Sequence, residues 1–241
     1  MTTKLDLAMK HGNRHISMLY PGQPLGLGDS GIGSIGRIDQ ADIQGGTTIR
    51  MHPHRNDEIL SYFRTGKVVH TDSAGTTEII SRNKLMLMKA GRVFYHEEKI
   101  LDRLEGLQIF IRPMTADYEP EVLFEELDPE DSPDRWRLLA SDRPSSHLRF
   151  TSRTEIFDAS LSSGTTLAFP ETELPQAMYI LYAFQGSLLV NGSIALSKGE
   201  SILTDDAGLS FSASSRAEAV LFITDPGQAC FKQGMFSGRI H

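Results

Sequence analysis

The 241-residue chain lacks the features that mark several classes of protein. Its single cysteine, Cys230, excludes an intrachain disulfide and a CxxC redox or zinc motif, and it suits a reducing compartment. With a formal net charge of −7 and no run of Lys and Arg, the chain has no basic patch for phosphates. No apolar run approaches the length of a membrane span, and residues 1–6 lack the apolar core of a signal peptide. We therefore expect a soluble, cytoplasmic protein that binds neither membranes nor nucleic acid directly.

Helical periodicity is scarce as well. Short apolar or alternating runs such as Ile59–Phe63 and Leu107–Ile111 recur along the whole chain, and Gly, Asn and Asp separate them. Closely spaced short strands with such turns predict an all-β sandwich or barrel. The only helix candidates are Leu5–Met9 and part of Glu119–Leu127.

An internal repeat predicts two related β-domains. The run Ile59–Gly66 resembles Ile180–Gly186, and each is followed by a hairpin and a further strand. A stretch rich in Pro, Asp and Ser lies between the two halves, and this composition is typical of a linker. We therefore predict a first domain over 1–127, a linker over 128–146 and a second domain over 147–241.

Two pairs of candidate ligands lie in the first half. His52 and His54 are two residues apart, as are His96 and Glu98. Residues i and i+2 of a strand point to the same face, so two strands could bring three imidazoles and a carboxylate to one point. Such a donor set binds a divalent transition metal. Spacing alone leaves open whether Glu98 or Glu58 supplies the carboxylate.

The second half has no equivalent of these pairs. Its only histidines are His147 and His241, and the run Ser210–Ala213 stands where the first half has His96–Glu98. We therefore expect one metal per chain, held by the first domain alone.

One further histidine of the first half, His70, precedes the turn-forming run Asp72–Gly75. We expect His70 to lie on a strand as an ordinary hydrogen-bonded histidine, since single histidines are commonly of this kind. Metal ligation is the alternative.

The residues around these ligands resemble the pirin family of the cupin superfamily. The matching stretches are His52-Pro53-His54-Arg55, Glu58-Ile59-Leu60, His70-x-Asp72-Ser73-x-Gly75, Ala90-Gly91, His96-x-Glu98 and Gly106-Leu107-Gln108. The resemblance implies a bicupin: two tandem cupin-type antiparallel β-barrels or sandwiches with few short helices, the second degenerate and without metal. It also implies that His52, His54, His96 and Glu98 bind the metal and that Glu58 orients a ligand histidine. The implied metal is Fe(II), with Mn, Ni, Co, Cu and Zn as alternatives.

The resemblance implies two competing functions. One is a quercetin 2,3-dioxygenase-like oxidoreductase that acts on a flavonol, with Glu98 as the catalytic base. The other is a non-catalytic metal- or redox-sensing regulator that binds a transcription factor or a metabolic enzyme. The chain departs from the family at Val93, Phe94, Tyr95 and Glu97, which are bulkier or more charged than usual and would alter the rim of the pocket. A small aromatic substrate and a protein partner are therefore both expected as candidates.

Overall fold

The computed structural model describes residues 1–26, 28–128 and 132–239. These residues form strands and two 3₁₀ helices of three residues each, Leu7–Met9 and Gln23–Leu25, and they contain no α-helix. The predicted all-β fold with few short helices is confirmed. No helix in the described ranges is long and apolar enough to cross a membrane.

The strands follow one another closely along the chain. In order they are β1 (Thr2–Leu5), β2 (His11–Gly12), β3 (Ile16–Leu19), β4 (Ile35–Ile43), β5 (Thr48–His54), β6 (Glu58–Thr65), β7 (Lys67–Asp72), β8 (Thr77–Ser81), β9 (Lys84–Lys89), β10 (Phe94–Ile100), β11 (Leu104–Ile111), β12 (Glu121–Glu126), β13 (Arg137–Ser141), β14 (Thr154–Leu161), β15 (Thr166–Ala168), β16 (Met178–Gln185), β17 (Leu188–Val190), β18 (Ile194–Leu196), β19 (Ser201–Thr204), β20 (Ser210–Ser212) and β21 (Ala217–Thr224).

The chain divides into two units. The first-half unit comprises Lys10–Leu127, His147–Ser152 and Ala229–His241. The second-half unit comprises Met1–Met9, Asp128–Ser146 and Arg153–Gln228. Each unit therefore includes segments that are distant from its main body in sequence.

This division differs from the predicted boundaries, most clearly in the segment predicted as a linker. That segment contains β13, which pairs with β14 and joins the sheet of the second-half unit. The guanidinium of Arg137 donates to both carboxylate oxygens of Asp158, at 2.9 and 2.7 Å, and both side chains are buried. The Pro, Asp and Ser of the segment surround a five-residue strand that an ion pair anchors, so residues 132–146 are part of a folded unit. Residues 129–131 lie outside the described part of the chain.

The first-half unit is built on one large antiparallel sheet. Its strand order is β2-β3-β4-β11-β6-β9-β8-β7-β10-β5, and β12 also pairs with β9. Apolar side chains that alternate along these strands fill the interior, including Phe63, Ile80, Met86 and Leu104. The helix candidate Glu119–Leu127 is therefore wrong for its central part, because β12 forms there along the apolar strand β9.

Strand β10 is the last but one strand in this order, with β5 paired to one side of it and β7 to the other. Buried residues alternate with more exposed ones along β10, which begins at the buried Phe94 and ends at the buried Ile100. This alternation places His96 and Glu98 on the inner face and Glu97 on the opposite face.

The second-half unit contains a six-stranded sheet, β1-β19-β16-β21-β14-β13, and a four-stranded sheet, β15-β20-β17-β18. Its core is apolar and is formed by residues such as Phe157, Leu181, Phe211 and Leu221. The sequence of this unit contains no histidine.

Candidate metal centre

Two neighbouring strands bring three histidines together. His52 and His54 lie on β5, His96 lies on β10, and the pairing of these strands sets His96 directly opposite His52. One ligand nitrogen from each ring lies within 4.8 Å of the others. The Nε2 atoms of His52 and His54 are only 3.0 Å apart. The predicted convergence of the three imidazoles is therefore present in the structure.

The ring nitrogens of this cluster fit a metal ion. The Nδ1–H of His52 donates to the backbone carbonyl of Arg50 at 2.9 Å. The Nε2 of His52 is then unprotonated and carries a lone pair. The Nε2 atom of His96 is buried and has no hydrogen-bond partner. Buried polar atoms without a partner are rare and costly, and a shared cation would satisfy this one. Imidazole donors without thiolates suit the later first-row divalent metals and do not select one of them.

Burial keeps these rings in the form that binds metal. Burial, and then the neighbouring His54, His52 and His70, hold the pKa of His96 far below its usual range. Burial also lowers the pKa of His52, although the hydrogen bond to Arg50 opposes the shift. Metal ligation requires an unprotonated imidazole, so His52 and His96 are in the form that can bind a metal at neutral pH.

Glu98 lies beside the three histidines but outside their group. It is on the inner face of β10, only 3% exposed, and opposite His70 of β7. The Nε2 of Gln108 donates to both of its carboxylate oxygens, at 3.1 and 3.2 Å. Burial raises the pKa of Glu98 to about 7, and the hydrogen bond from Gln108 opposes the rise. The structure thus brings three of the four predicted ligands within ligand distance of one another, and the fourth, Glu98, lies two positions from His96 on the same buried face of β10.

Glu58 has a different partner from the predicted one. Its buried carboxylate accepts the backbone N–H of Thr151, at 3.0 and 3.2 Å from its two oxygens. Burial raises the pKa of Glu58 to about 7, against these hydrogen bonds. The acidic residue Asp57 does approach a ligand ring, because its Oδ2 is 3.9 Å from Nδ1 of His54.

His70 lies on β7 before the turn, and it also contacts the cluster. Its Nδ1 is 3.3 Å from Nδ1 of His96, and its Nε2 is 3.2 Å from Oδ2 of Asp72. Burial lowers the pKa of His70, against the hydrogen bond to Asp72. The i, i+2 spacing of His70 and Asp72 could have indicated that they face the same way, whereas the contact with His96 depends on how β7 pairs with β10.

The C-terminal segment supplies residues that sequence reasoning missed. The ring of Phe236 lies 4.9 Å from that of His54. The backbone N–H groups of Phe236 and Ser237 donate to the carboxylate of Asp57, at distances between 2.8 and 3.1 Å. These partners are about 180 positions apart in the chain, and no local pattern signals such a contact.

The cluster is closed on most sides. Phe94 is buried, whereas Tyr95 is 44% exposed and points away from the inner face, so it does not plug the site. His54 and His96 are buried, and His52 is the half-buried member of the cluster. Solvent therefore meets the cluster at His52.

Comparison with known proteins shows which family the chain is similar to. The model of the Pirin family matches residues 30–111. The chain is 25% identical over 199 residues to a quercetin 2,3-dioxygenase of Escherichia coli, an alignment that covers 81% of this chain and 84% of the relative. It is 24% identical over 147 residues to a pirin-like protein of Arabidopsis thaliana, covering 55% of this chain and 47% of the relative.

Solved structures with the same fold agree. The bacterial pirin YhhW of Escherichia coli, in complex with nickel(II), superimposes with a TM-score of 0.76 at 20% identity, covering 94% of this chain and all of that one. Oxalate decarboxylase of Bacillus subtilis superimposes with a TM-score of 0.61 at 10% identity, covering 94% and 78%. The fold is therefore that of a bicupin, with a three-histidine site of the kind that holds a metal. Residues 30–111 match the model of the Pirin family, in agreement with the resemblance that the motifs indicate.

Proposed function

We propose that the chain binds one divalent transition metal through His52, His54, His96 and Glu98, and that it acts as a dioxygenase on a small aromatic substrate of the flavonol type. The buried, unpartnered Nε2 of His96 within the histidine cluster carries the proposal. The dioxygenase names of the curated relatives support the reaction class. The pirin resemblance favours Fe(II), and the nickel(II) complex of the structurally similar YhhW supports nickel as an alternative.

The roles of the residues follow from their surroundings. A bound divalent metal would act as a Lewis acid toward oxygen atoms of the substrate. His52, His54 and His96 hold their places through strand pairing and burial. Glu98 takes the hydroxyl proton of the substrate on a carboxylate oxygen, because its burial disfavours the charged form and so favours uptake of a proton. Gln108 donates to this carboxylate and so keeps it oriented.

A turnover assay tests this proposal. The purified protein is assayed for bound metal, and loss of flavonol absorbance under oxygen is followed with quercetin as the probe. We expect His52→Ala to abolish metal binding and turnover together. Glu98→Gln should retain most of the metal but turn over about 100-fold more slowly, which is the usual contribution of a general base. His11→Ala is the matched control, because His11 is exposed on β2 and pairs with Gln23. Turnover by His52→Ala at the rate of the wild type would contradict the proposal.

A regulator is the second candidate, and one observation favours it. Phe236 lies against His54, and both His54 and Glu98 are almost entirely buried, which leaves little room for a fused aromatic ligand. In this case the metal changes the protein surface and the partner is another protein. Stoichiometric metal in the wild type, without turnover of quercetin or of a panel of catechols, would favour this candidate.

A further inference from the structure

We propose that Asp72 and His70 are positioning residues that set the ring proton of His96 on Nδ1 and so direct its Nε2 lone pair toward the metal. The proposal rests on the metal binding proposed above and extends it to residues that do not themselves bind the metal. Two hydrogen-bonding steps carry it, from the turn after β7 to the cluster.

The first step fixes the carboxylate of Asp72. Its Oδ1 accepts the backbone N–H groups of Ala74 and Thr76, at 2.8 and 3.0 Å, which anchors the side chain in the turn. Its Oδ2 faces Nε2 of His70 at 3.2 Å. A carboxylate accepts hydrogen bonds and does not donate them, so the proton of this contact belongs to Nε2 of His70.

The second step passes this constraint to His96. A singly protonated His70 with its proton on Nε2 has a bare Nδ1. That Nδ1 is 3.3 Å from Nδ1 of His96. Two ring nitrogens can bond only if one of them carries a proton, so Nδ1–H of His96 donates to His70. The remaining nitrogen of His96, Nε2, then has a lone pair, and it is the buried atom without a partner.

Packing holds His70 in this orientation. The ring is fully buried and stacks nearly parallel to Phe94, with an interplanar angle of 8° and centroids 6.4 Å apart. The ring of Phe124 meets it edge-on at 6.3 Å. A ring enclosed in this way keeps one orientation, which preserves the order of its two nitrogens.

The same geometry argues against His70 as a fourth ligand. Its Nε2 is engaged by Asp72, and its Nδ1 meets the nitrogen of His96 that faces away from the unpartnered Nε2. Both nitrogens of His70 are therefore hydrogen-bonded on the side of His96 that faces away from its Nε2. A hydrogen-bonded partner behind a ligand histidine is a common means of fixing the tautomer of the ligand.

Asp72→Asn tests the relay with almost no change in shape. The amide oxygen can still accept the N–H groups of the turn, which turns the NH₂ group toward His70. Nε2 of His70 must then accept, its proton moves to Nδ1, and His96 receives that hydrogen bond and carries its own proton on Nε2. We expect the nitrogen-15 spectrum of metal-free, histidine-labelled protein to show both tautomers inverted. Affinity for Ni²⁺, measured by competition with a chelator, should fall about 10- to 100-fold.

Two further variants keep the test decisive. His70→Phe fills the same space but removes the acceptor, so His96 should populate both tautomers and bind Ni²⁺ more weakly than the wild type. Asp206→Asn is the matched control, because Asp206 also accepts a turn N–H, that of Gly208, in the unit without histidines. The control should leave both readouts unchanged.

The outcomes separate the relay from the proposed function. An unchanged His96 tautomer in Asp72→Asn, or a Ni²⁺ affinity in His70→Phe equal to that of the wild type, overturns the relay. If the wild type binds no Ni²⁺, the proposed function fails, whereas the metal-free spectra still decide the tautomers of His70 and His96. If metal binds and the tautomers follow the expectation but no substrate is turned over, the relay stands and only the dioxygenase reading is lost.

Discussion

At the scale of single residues, the first-half unit keeps two carboxyl groups in surroundings that disfavour their charge. Glu58 and Glu98 are both buried, and burial raises the pKa of each to about 7. Glu98 lies beside the histidines, where a proton that moves near neutral pH is useful. Glu58 instead accepts the N–H of Thr151. Its raised pKa therefore makes the free energy of unfolding depend on pH.

The pH dependence of stability tests the role of Glu58. Its pKa rises from 4.5 to about 7 on folding, so its contribution to stability is complete below pH 4.5 and is lost as the pH rises through 7. Glu58→Gln keeps an acceptor for Thr151 and cannot ionise. Relative to the wild type, we expect the variant to gain about 2–3 kcal/mol of unfolding free energy between roughly pH 5 and pH 8.

Urea unfolding of the metal-free protein at the two pH values measures this difference. Glu173→Gln, which alters an exposed carboxyl group of the second-half unit, is the control and should follow the wild type. A gap between Glu58→Gln and the wild type that stays constant with pH would show that the raised pKa has no influence on folding.

At the scale of elements, the sequence predicted what depends on local pattern. Alternation along β5 and β10 gave the ligand pairs and turned Glu97 away from the inner face, as the burial of β10 shows. The sequence did not indicate which distant elements pair with one another. The contact of His70 with His96 requires β7 beside β10, and that of Phe236 with His54 requires the C-terminal segment beside β5. The misread β12 has the same origin, because its strand conformation comes from pairing with β9.

The C-terminal segment gives a prediction of its own. Phe236 contacts the rings of His54 and Phe110, at 4.9 and 5.6 Å, and is half-buried. We expect Phe236→Ala to destabilise the protein by roughly 1–2 kcal/mol, below the cost for a fully buried ring. The variant should also release Ni²⁺ to a chelator several-fold faster, because solvent then reaches His54. Met235→Ala, at the exposed neighbouring position, is the control. Equal release rates for the two variants would show that Phe236 does not shield the site.

At the scale of the whole molecule, the two units share a β-architecture and differ in chemistry. The sequence of the second-half unit has no histidine and its core is apolar, so the expectation that only the first half binds a metal stays a prediction. The boundaries were harder to predict, since β1 joins the sheet of the second-half unit through β19, far along the chain. The segment that contains β13 is rich in Pro and Ser, so its composition did not predict a strand there. A buried ion pair anchors β13.

Metal stoichiometry tests the asymmetry. We expect native mass spectrometry of the full chain to show one Ni²⁺ per chain, and none in His52→Ala, because the second-half unit offers no imidazole. His147→Ala is the control, since His147 contacts the backbone carbonyl of Phe124 and is not part of the cluster. A second tightly bound ion, or one that survives in His52→Ala, would place a metal outside the histidine cluster.

The position of β10 between β5 and β7 limits how the chain can change in length. Removing one residue from β10 would exchange its two faces, so that Glu97 and Tyr95 would point inward and His96 outward. The pairing of β10 with β5 already contains a register shift between His96 and Glu98, whereas its pairing with β7 is regular over these residues, so a further change in length would disturb both neighbours. Insertions and deletions compatible with metal binding are therefore expected in connections such as the turn at 82–83 between β8 and β9, and not in the turn at 73–76, whose N–H groups anchor Asp72.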